Sequence, residues 1–167
     1  MANILQAFGT ATAFPTLTNL TSLAFSPTAG WRSTAVDNTT NLYDDVLITL
    51  ELASAAYGVA AGNSVYIFAY GLITGTAYTS QGNAGAAPDG NEGTITLPNV
   101  TSAPVNMPLI GAVTQLGTAA QNIGPFSLAK AYGGILPIKW GIVIINNTAA
   151  NFASAVARYQ ELKYTVA

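Results

Sequence analysis

The segment Val46-Leu-Ile-Thr-Leu-Glu-Leu52 has the strict alternation of a β-strand that buries one face and solvates the other. Its apolar positions fall on one face: Val46, Ile48, Leu50 and Leu52. Thr49 and Glu51 fall on the opposite face, where Leu47 is the one apolar residue. Because this two-residue period recurs along the chain and helical periodicity is scarce, we predict an all-β protein.

Further strands are predicted wherever apolar runs end at Gly, Pro or Asn turns. The stronger ones are 64–70, 140–145 and 158–166, and the weaker ones are 93–97, 109–114 and 33–36. Segment 64–70 is apolar or aromatic on both faces, so we place it centrally in its sheet. Short strands of this kind are typical of a β-sandwich or a barrel, and we predict an antiparallel sandwich with a jelly-roll topology. Its predicted core contains Trp140, Ile142, Ile144, Ile48, Leu50 and Ile67.

Residues 1–30 lack a continuous periodicity and carry isolated apolar residues in a polar background. We predict an extended N-terminal arm over 1–30 and a sandwich domain over 31–167. Phe8, Phe14 and Phe25 are its candidate anchors on a partner. An edge strand followed by a loop of the same domain is the alternative. The Gly-rich loop 71–93 is expected to order by contact with a neighbouring chain, and one short helix is expected over 127–132.

The chain has few charged side chains and few of the side chain types that carry out catalysis or bind metals. Its 167 residues include five Lys or Arg, seven Asp or Glu, and no His or Cys. Nucleic-acid binding is therefore not expected, since phosphate contacts need clustered basic side chains. Apolar runs are broken before a membrane span accumulates, and the N-terminus lacks a signal-peptide pattern, which predicts cytoplasmic synthesis. We predict no cofactor, no metal and no enzymatic activity.

Three patterns are candidates for chemistry. Asp44 and Asp45 are adjacent, and if the strand begins there, their side chains point to opposite faces. This favours a structural or solvent role over shared catalysis. The segment 89–92, Asp-Gly-Asn-Glu, has too few ligands for a calcium loop and is interpreted as a flexible turn. Ser127 and Lys130 have the spacing of a serine–lysine motif, but the companion motifs of that chemistry are absent. A serine without His lacks the usual activating base.

An aromatic row on the central strand leaves a binding role open. Tyr66, Phe68 and Tyr70 share one face of segment 64–70, which is the periodicity of a sugar-stacking platform. Packing in a core or an interface explains the same row, because aromatic side chains supply much of the apolar area in both.

Two longer stretches carry a resemblance to a known group of proteins. One runs from 36 to 50, Val-Asp-Asn-Thr-Thr-Asn-Leu-Tyr-Asp-Asp-Val-Leu-Ile-Thr-Leu, and leads to 65–71; the other is 124–146, from Gly-Pro-Phe-Ser-Leu to Ile-Ile-Asn. Together they resemble small virion structural proteins of tailed bacteriophages, several of which are capsid decoration (cement) proteins. The resemblance covers about residues 33–165 and transfers no functional residue.

The resemblance implies a jelly-roll-like sandwich, commonly a homotrimer, set on the outside of the head shell and bound to the major capsid protein. We therefore expect a protein that is made in the host bacterial cytoplasm and stabilises a capsid by bridging neighbouring subunits. Low charge suits this role, because burying neutral surface avoids the cost of desolvating ions. A tail, neck or head-fibre component and a carbohydrate-binding, adhesin-like module are the alternatives.

Overall fold

The structure is a computed structural model that describes residues 4–56, 64–72, 75–79, 88–97, 107–114 and 116–166. These residues form eleven strands and one short helix. In chain order they are β1 (Ile4–Phe8), β2 (Thr12–Ala13), β3 (Ala29–Arg32), β4 (Val36–Asp37), β5 (Asp45–Ser54), β6 (Ser64–Leu72), β7 (Gly93–Thr96), β8 (Leu109–Val113), β9 (Gln121–Ser127), α1 (Leu128–Ala131), β10 (Lys139–Asn147) and β11 (Phe152–Val166). No helix in the described ranges is long and apolar enough to cross a membrane.

Two antiparallel sheets pack face to face, which confirms the predicted β-sandwich. The first sheet has the order β1-β11-β5-β9, with β2 also paired to β11. The second has the order β7-β3-β10-β6-β8, with β4 also paired to β10. Strand β6 lies between β10 and β8, so its predicted central position is confirmed.

The strand pairs are nested along the chain. Strand β1 pairs with β11, β3 with β10, β5 with β9, and β6 with β8. Successive pairs alternate between the two sheets. The chain therefore follows one long hairpin, with its outermost and third pairs in the first sheet and the other two in the second.

The main core fills the space between the sheets. The alternation in β5 is confirmed, since Val46, Ile48, Leu50 and Leu52 are at most 1% exposed and the residues between them are half-buried. All six predicted core residues are buried: Trp140, Ile142, Ile144, Ile48, Leu50 and Ile67.

Four aromatic rings meet in this core. Trp140 is fully buried and packs edge-on against Tyr159 and Phe14, with ring centroids 5.3 and 6.2 Å apart. Phe14 also contacts Trp31 at 6.1 Å. Within the described residues, the indole N–H of Trp140 has no hydrogen-bond partner. Trp140 therefore contributes through packing area and aromatic contacts.

The second sheet is covered on its outer face as well. A second apolar cluster lies there and consists of Phe68, Tyr70, Ile95, Leu97, Met107, Val143 and Ile145. Strands β6 and β10 consequently bury both faces, which explains why their sequences are nearly continuous apolar runs.

Residues 4–30 belong to the sandwich, so the prediction of a separate arm ending at residue 30 is wrong. Strands β1 and β2 pair with β11, and β3 pairs with β10. Between these strands, Phe14, Leu20 and Leu23 enter the main core. The alternative of an edge strand and a loop of the same domain describes this segment correctly.

The remaining sequence predictions differ mainly at strand ends. The strand predicted at 33–36 is wrong except at Val36, because residues 33–35 lie between β3 and β4. There the Ser33 N–H donates to the Ile142 carbonyl, and the Ser33 hydroxyl accepts from the Ile142 N–H. The predicted helix is confirmed as α1, with Ser127 as its N-cap. Strand β9 was not predicted. Of the loop 71–93, residues 73–74 and 80–87 lie outside the described residues.

Candidate interaction surface

The carboxylates of Asp44 and Asp45 accept hydrogen bonds that connect different segments of the fold. Asp45 accepts hydrogen bonds from the Ser127 hydroxyl at 2.6 Å and the Ala129 N–H at 2.8 Å, which ties β5 to the start of α1. Asp44 accepts from the Tyr164 N–H at 2.7 Å. These contacts confirm a structural role for the pair.

The Ser127 hydroxyl is committed to the helix cap. Its oxygen accepts from the Lys130 N–H at 3.1 Å while its proton is donated to Asp45. The serine–lysine spacing is thus explained by capping, because the contact between the two residues runs through the backbone of Lys130.

The turn at 89–92 is held by donors from three other residues. Arg32 forms an ion pair with Asp89 at 2.7 Å, whereas Glu92 accepts from the Trp31 indole N–H at 2.8 Å and from Asn19 at 3.0 Å. The two carboxylates therefore accept from different donors. These contacts connect the turn, which the sequence predicted to be flexible, to the sandwich.

The other acidic residues are also engaged. The Thr39 hydroxyl and N–H, at 2.6 and 2.8 Å, together with nearby Lys139, lower the pKa of Asp37 to about 2. Glu51 pairs with Arg158 at 3.1 Å. The nearby Glu161 carboxylate raises the pKa of Tyr43.

Six of the seven carboxylates of the chain thus accept hydrogen bonds: Asp37, Asp44, Asp45, Glu51, Asp89 and Glu92. Among the described residues, no group of three or more His, Cys, Asp or Glu lies close enough to hold a metal ion.

Tyr132 directly follows α1, and its side chain packs near Thr79. Its hydroxyl is 3.4 Å from the Thr79 hydroxyl, which in turn accepts from the Gly71 N–H at 3.0 Å. Burial raises the pKa of Tyr132 to about 12. The loop after α1 is consequently anchored by a neutral phenol.

We expect alkaline pH to destabilise the protein through Tyr132. Between pH 10, the ordinary pKa, and about 12, the unfolded chain loses the phenolic proton while the folded chain keeps it, so the free energy of unfolding falls as pH rises. Tyr132→Phe should flatten part of this decline, and Tyr164→Phe, at an exposed tyrosine, should not. Urea unfolding from pH 8 to 12 measures both, and identical slopes for the two variants would contradict the assignment.

The aromatic row on β6 is covered. Phe68 and Tyr70 are at most 1% exposed, and the Tyr70 hydroxyl donates to the Ser33 carbonyl at 2.6 Å. Tyr66 packs against the same cluster. The packing interpretation of this row is confirmed, because the second apolar cluster covers the face that was considered for carbohydrate stacking.

The three predicted phenylalanine anchors have different positions. Phe14 is 2% exposed and lies among the aromatic rings of its own core, so its assignment as a partner anchor is wrong. Phe8 and Phe25 are 54% and 45% exposed. Phe8 lies on β1, opposite Leu162, while Phe25 lies beside Asn151 at the other end of the sandwich. Their role in an interface stays a prediction.

Exposed large apolar side chains gather at one end of the sandwich. At this end β5 and β10 begin and β6 and β9 end, as the strand registers show. We call it the apolar end and define it by Leu42, Ile135, Ile138 and Tyr164 together with Leu5 and Phe8 of β1. Hydrogen bonds link its loops: Asn38 to Ile138, and Lys163 to Asn41.

The loop after α1 provides the most apolar part of this end. In this loop Ile135 and Ile138 are 73% and 41% exposed. Leu42, which lies between β4 and β5, is 67% exposed. A shallow groove of about 160 Å³ is lined by Tyr132, Ile135, Leu136, Pro137 and Ile138. Sequence reasoning missed these residues, although Ile135 and Leu42 are isolated large apolar residues in turn segments. Such a surface suits contact with another protein.

The outer face of the first sheet carries mostly uncharged side chains. Its half-buried side chains include Leu47, Thr49 and Val156. The charges of Arg158 and Glu51 are paired with each other. This face therefore offers a second neutral surface on the described part of the chain.

No protein-family model matches the chain, and no curated protein matches it significantly.

Proposed function

We propose that this chain is a non-enzymatic capsid decoration protein of a tailed bacteriophage, which binds the outer head shell and stabilises it by bridging neighbouring capsid subunits. The observation that carries the proposal is the apolar end, where Leu42, Ile135 and Ile138 project from a charge-poor sandwich. The resemblance of residues 33–165 to phage virion proteins supplies the class of partner.

The strand connectivity supports a jelly-roll assignment. Nested pairs that alternate between two sheets are what results when a long hairpin is rolled into a sandwich. Jelly-roll domains are common in viral capsids, and also in lectins. Since one fold serves many functions, the proposal depends on the exposed surface more than on the fold.

Binding through the apolar end is favourable because little has to be desolvated except apolar groups. Burial contributes about 25 cal/mol per Å² of apolar surface. A homotrimer, as the resemblance implies, would present three such ends at once. Release from the shell then requires several contacts to break together, so modest single contacts produce strong retention.

The state of the polar side chains supports a role without catalysis. The Ser127 hydroxyl caps α1, and six of the seven carboxylates accept hydrogen bonds from other groups of the chain. The chain also lacks His and Cys, the most common catalytic base and the most nucleophilic side chain.

Shell binding by surface variants tests the proposal. We expect Ile135→Asp and Leu42→Asp each to weaken binding to purified undecorated heads by about tenfold or more, because a carboxylate would be buried without a partner. Ala119→Asp, at an exposed position just before β9 and at the opposite end, is the matched control and should bind like the wild type. Co-sedimentation with heads measures occupancy, and circular dichroism checks the fold.

Two outcomes contradict the proposal. Wild-type protein that does not sediment with heads, but binds tails or necks, assigns the chain to another part of the virion. Full occupancy by both apolar-end variants shows that the contact lies elsewhere on the sandwich.

A further inference from the structure

Strand β1 is an open sheet edge. It is the outermost strand of the first sheet, and within the described ranges its outer side pairs with no other strand. An open edge carries N–H and C=O groups that can pair with a strand of another chain.

The phase of the ladder identifies which groups face outward. The Gly9 N–H donates to the Glu161 carbonyl at 2.8 Å, so Gly9 and Glu161 form a hydrogen-bonded pair. Because such pairs alternate in antiparallel ladders, Ala7 and Leu5 direct their backbone groups toward β11. The backbone groups of Ile4, Gln6 and Phe8 consequently point away from the sheet.

Strand β1 lacks the protection found at the other sheet edges. Strand β9 contains Pro125, which has no N–H, and a shift of register. Strand β8 follows Pro108 and also has a shift of register, and β7 has four residues only. Strand β1 is regular and has no charge and no proline. It is the edge among these four that is best suited to accept a further strand.

Most of β1 pairs with a part of β11 that has no strand on its other side. The pairing of β11 with β5 stops at Leu162, so residues 163–166 of β11 pair with β1 alone. Leu5 and Tyr164 in this two-stranded ribbon are 52% and 53% exposed. A two-stranded ribbon is marginally stable in water, so an added strand would stabilise it.

We propose that β1 pairs with β1 of a second copy of this chain, antiparallel and across a two-fold axis at Gln6. The outward groups lie symmetrically about Gln6, so this register pairs Gln6 with its own copy and Ile4 with Phe8 of the copy. Every outward N–H then meets an outward C=O.

Charge and side-chain size favour a second copy as the occupant. Strand β1 is neutral, so no like charges meet across the axis, and Leu5 lies opposite the small Ala7 of the copy. The two Gln6 side chains face each other, and an amide both donates and accepts. A two-fold contact is closed and cannot itself build a trimer, so it would join two trimers or two monomers. The inference does not depend on the proposed function.

Opposite charges at residue 6 test the self-pairing. Gln6→Lys and Gln6→Glu each place like charges face to face across the axis, so each variant should have half the mass of the wild type in sedimentation velocity. An equimolar mixture should recover the full mass, because Lys then faces Glu. Gln6→Thr, a neutral strand-forming residue, is the control and should keep the full mass.

Thermal unfolding of each variant checks that the sandwich is intact. The backbone of Gln6 points away from β11, so these substitutions leave the β1–β11 hydrogen bonds in place. Charged variants that keep the wild-type mass overturn the proposal. Variants that dissociate but do not recover on mixing show that β1 meets a different surface, which also overturns it.

Discussion

Replacement of Trp140 by alanine is expected to lower the free energy of unfolding by about 3–5 kcal/mol. Trp140 is fully buried between the sheets and packs edge-on against Phe14 and Tyr159. The substitution removes that apolar area and leaves a cavity that two hydrogen-bonded sheets cannot readily close. Urea denaturation followed by circular dichroism measures the change.

Trp140→Phe separates packing from the indole N–H. Phenylalanine keeps a ring in the cluster and removes a buried donor that has no partner among the described residues, so the loss should be clearly smaller than for alanine. Tyr164→Ala, at an exposed aromatic residue, should change stability by less than about 1 kcal/mol. A loss below about 1 kcal/mol for Trp140→Ala would mean that the two sheets do not close over this ring.

Phe14→Ala should cost a similar amount, about 3–5 kcal/mol, whereas Phe25→Ala should cost less than about 1 kcal/mol. Phe14 is 2% exposed within its own domain, and Phe25 is 45% exposed. The two residues are of one type in one segment, so the comparison isolates burial. The same denaturation experiment measures both.

A stable Phe14→Ala protein that failed only in assembly would restore Phe14 as a partner anchor. The double variant with Trp140→Ala adds a further check. Because Phe14 and Trp140 are in contact, the two losses should not add. Full additivity would contradict their contact.

The core of the sandwich could be predicted from the sequence because strand periodicity assigns faces. In β5 the alternation separates Ile48 and Leu50 from Thr49, and those faces are the buried and half-buried ones. In β6 and β10 both faces are apolar, and both faces are covered. The two-residue period is sufficient to assign the faces of these strands, because side chains alternate across a strand whatever its neighbouring strands are.

The first thirty residues could not be predicted in this way. Phe8, Phe14 and Phe25 have similar polar neighbours in the sequence, yet only Phe14 is buried. Its burial depends on β1 and β2 pairing with β11, about 150 residues further along the chain. No local pattern encodes a pairing at that separation.

The candidate surface was missed for a related reason. Phe25 and Ile135 are both isolated apolar residues in irregular segments, but the strand registers place them at opposite ends of the sandwich. Only the folded topology brings Ile135, Ile138 and Leu42 to one end. The structural role of Asp44 and Asp45 likewise depends on distant segments, since their hydrogen-bond donors are in Tyr164, Ser127 and Ala129.

Electron cryomicroscopy of assembled phage particles that carry this protein tests the central claim most directly. The account predicts sandwich-shaped density on the outside of the head shell, over the junctions between neighbouring capsid subunits, with Ile135 and Leu42 directed at the shell. Density confined to the tail or neck, or intact particles that lack the protein altogether, would contradict it.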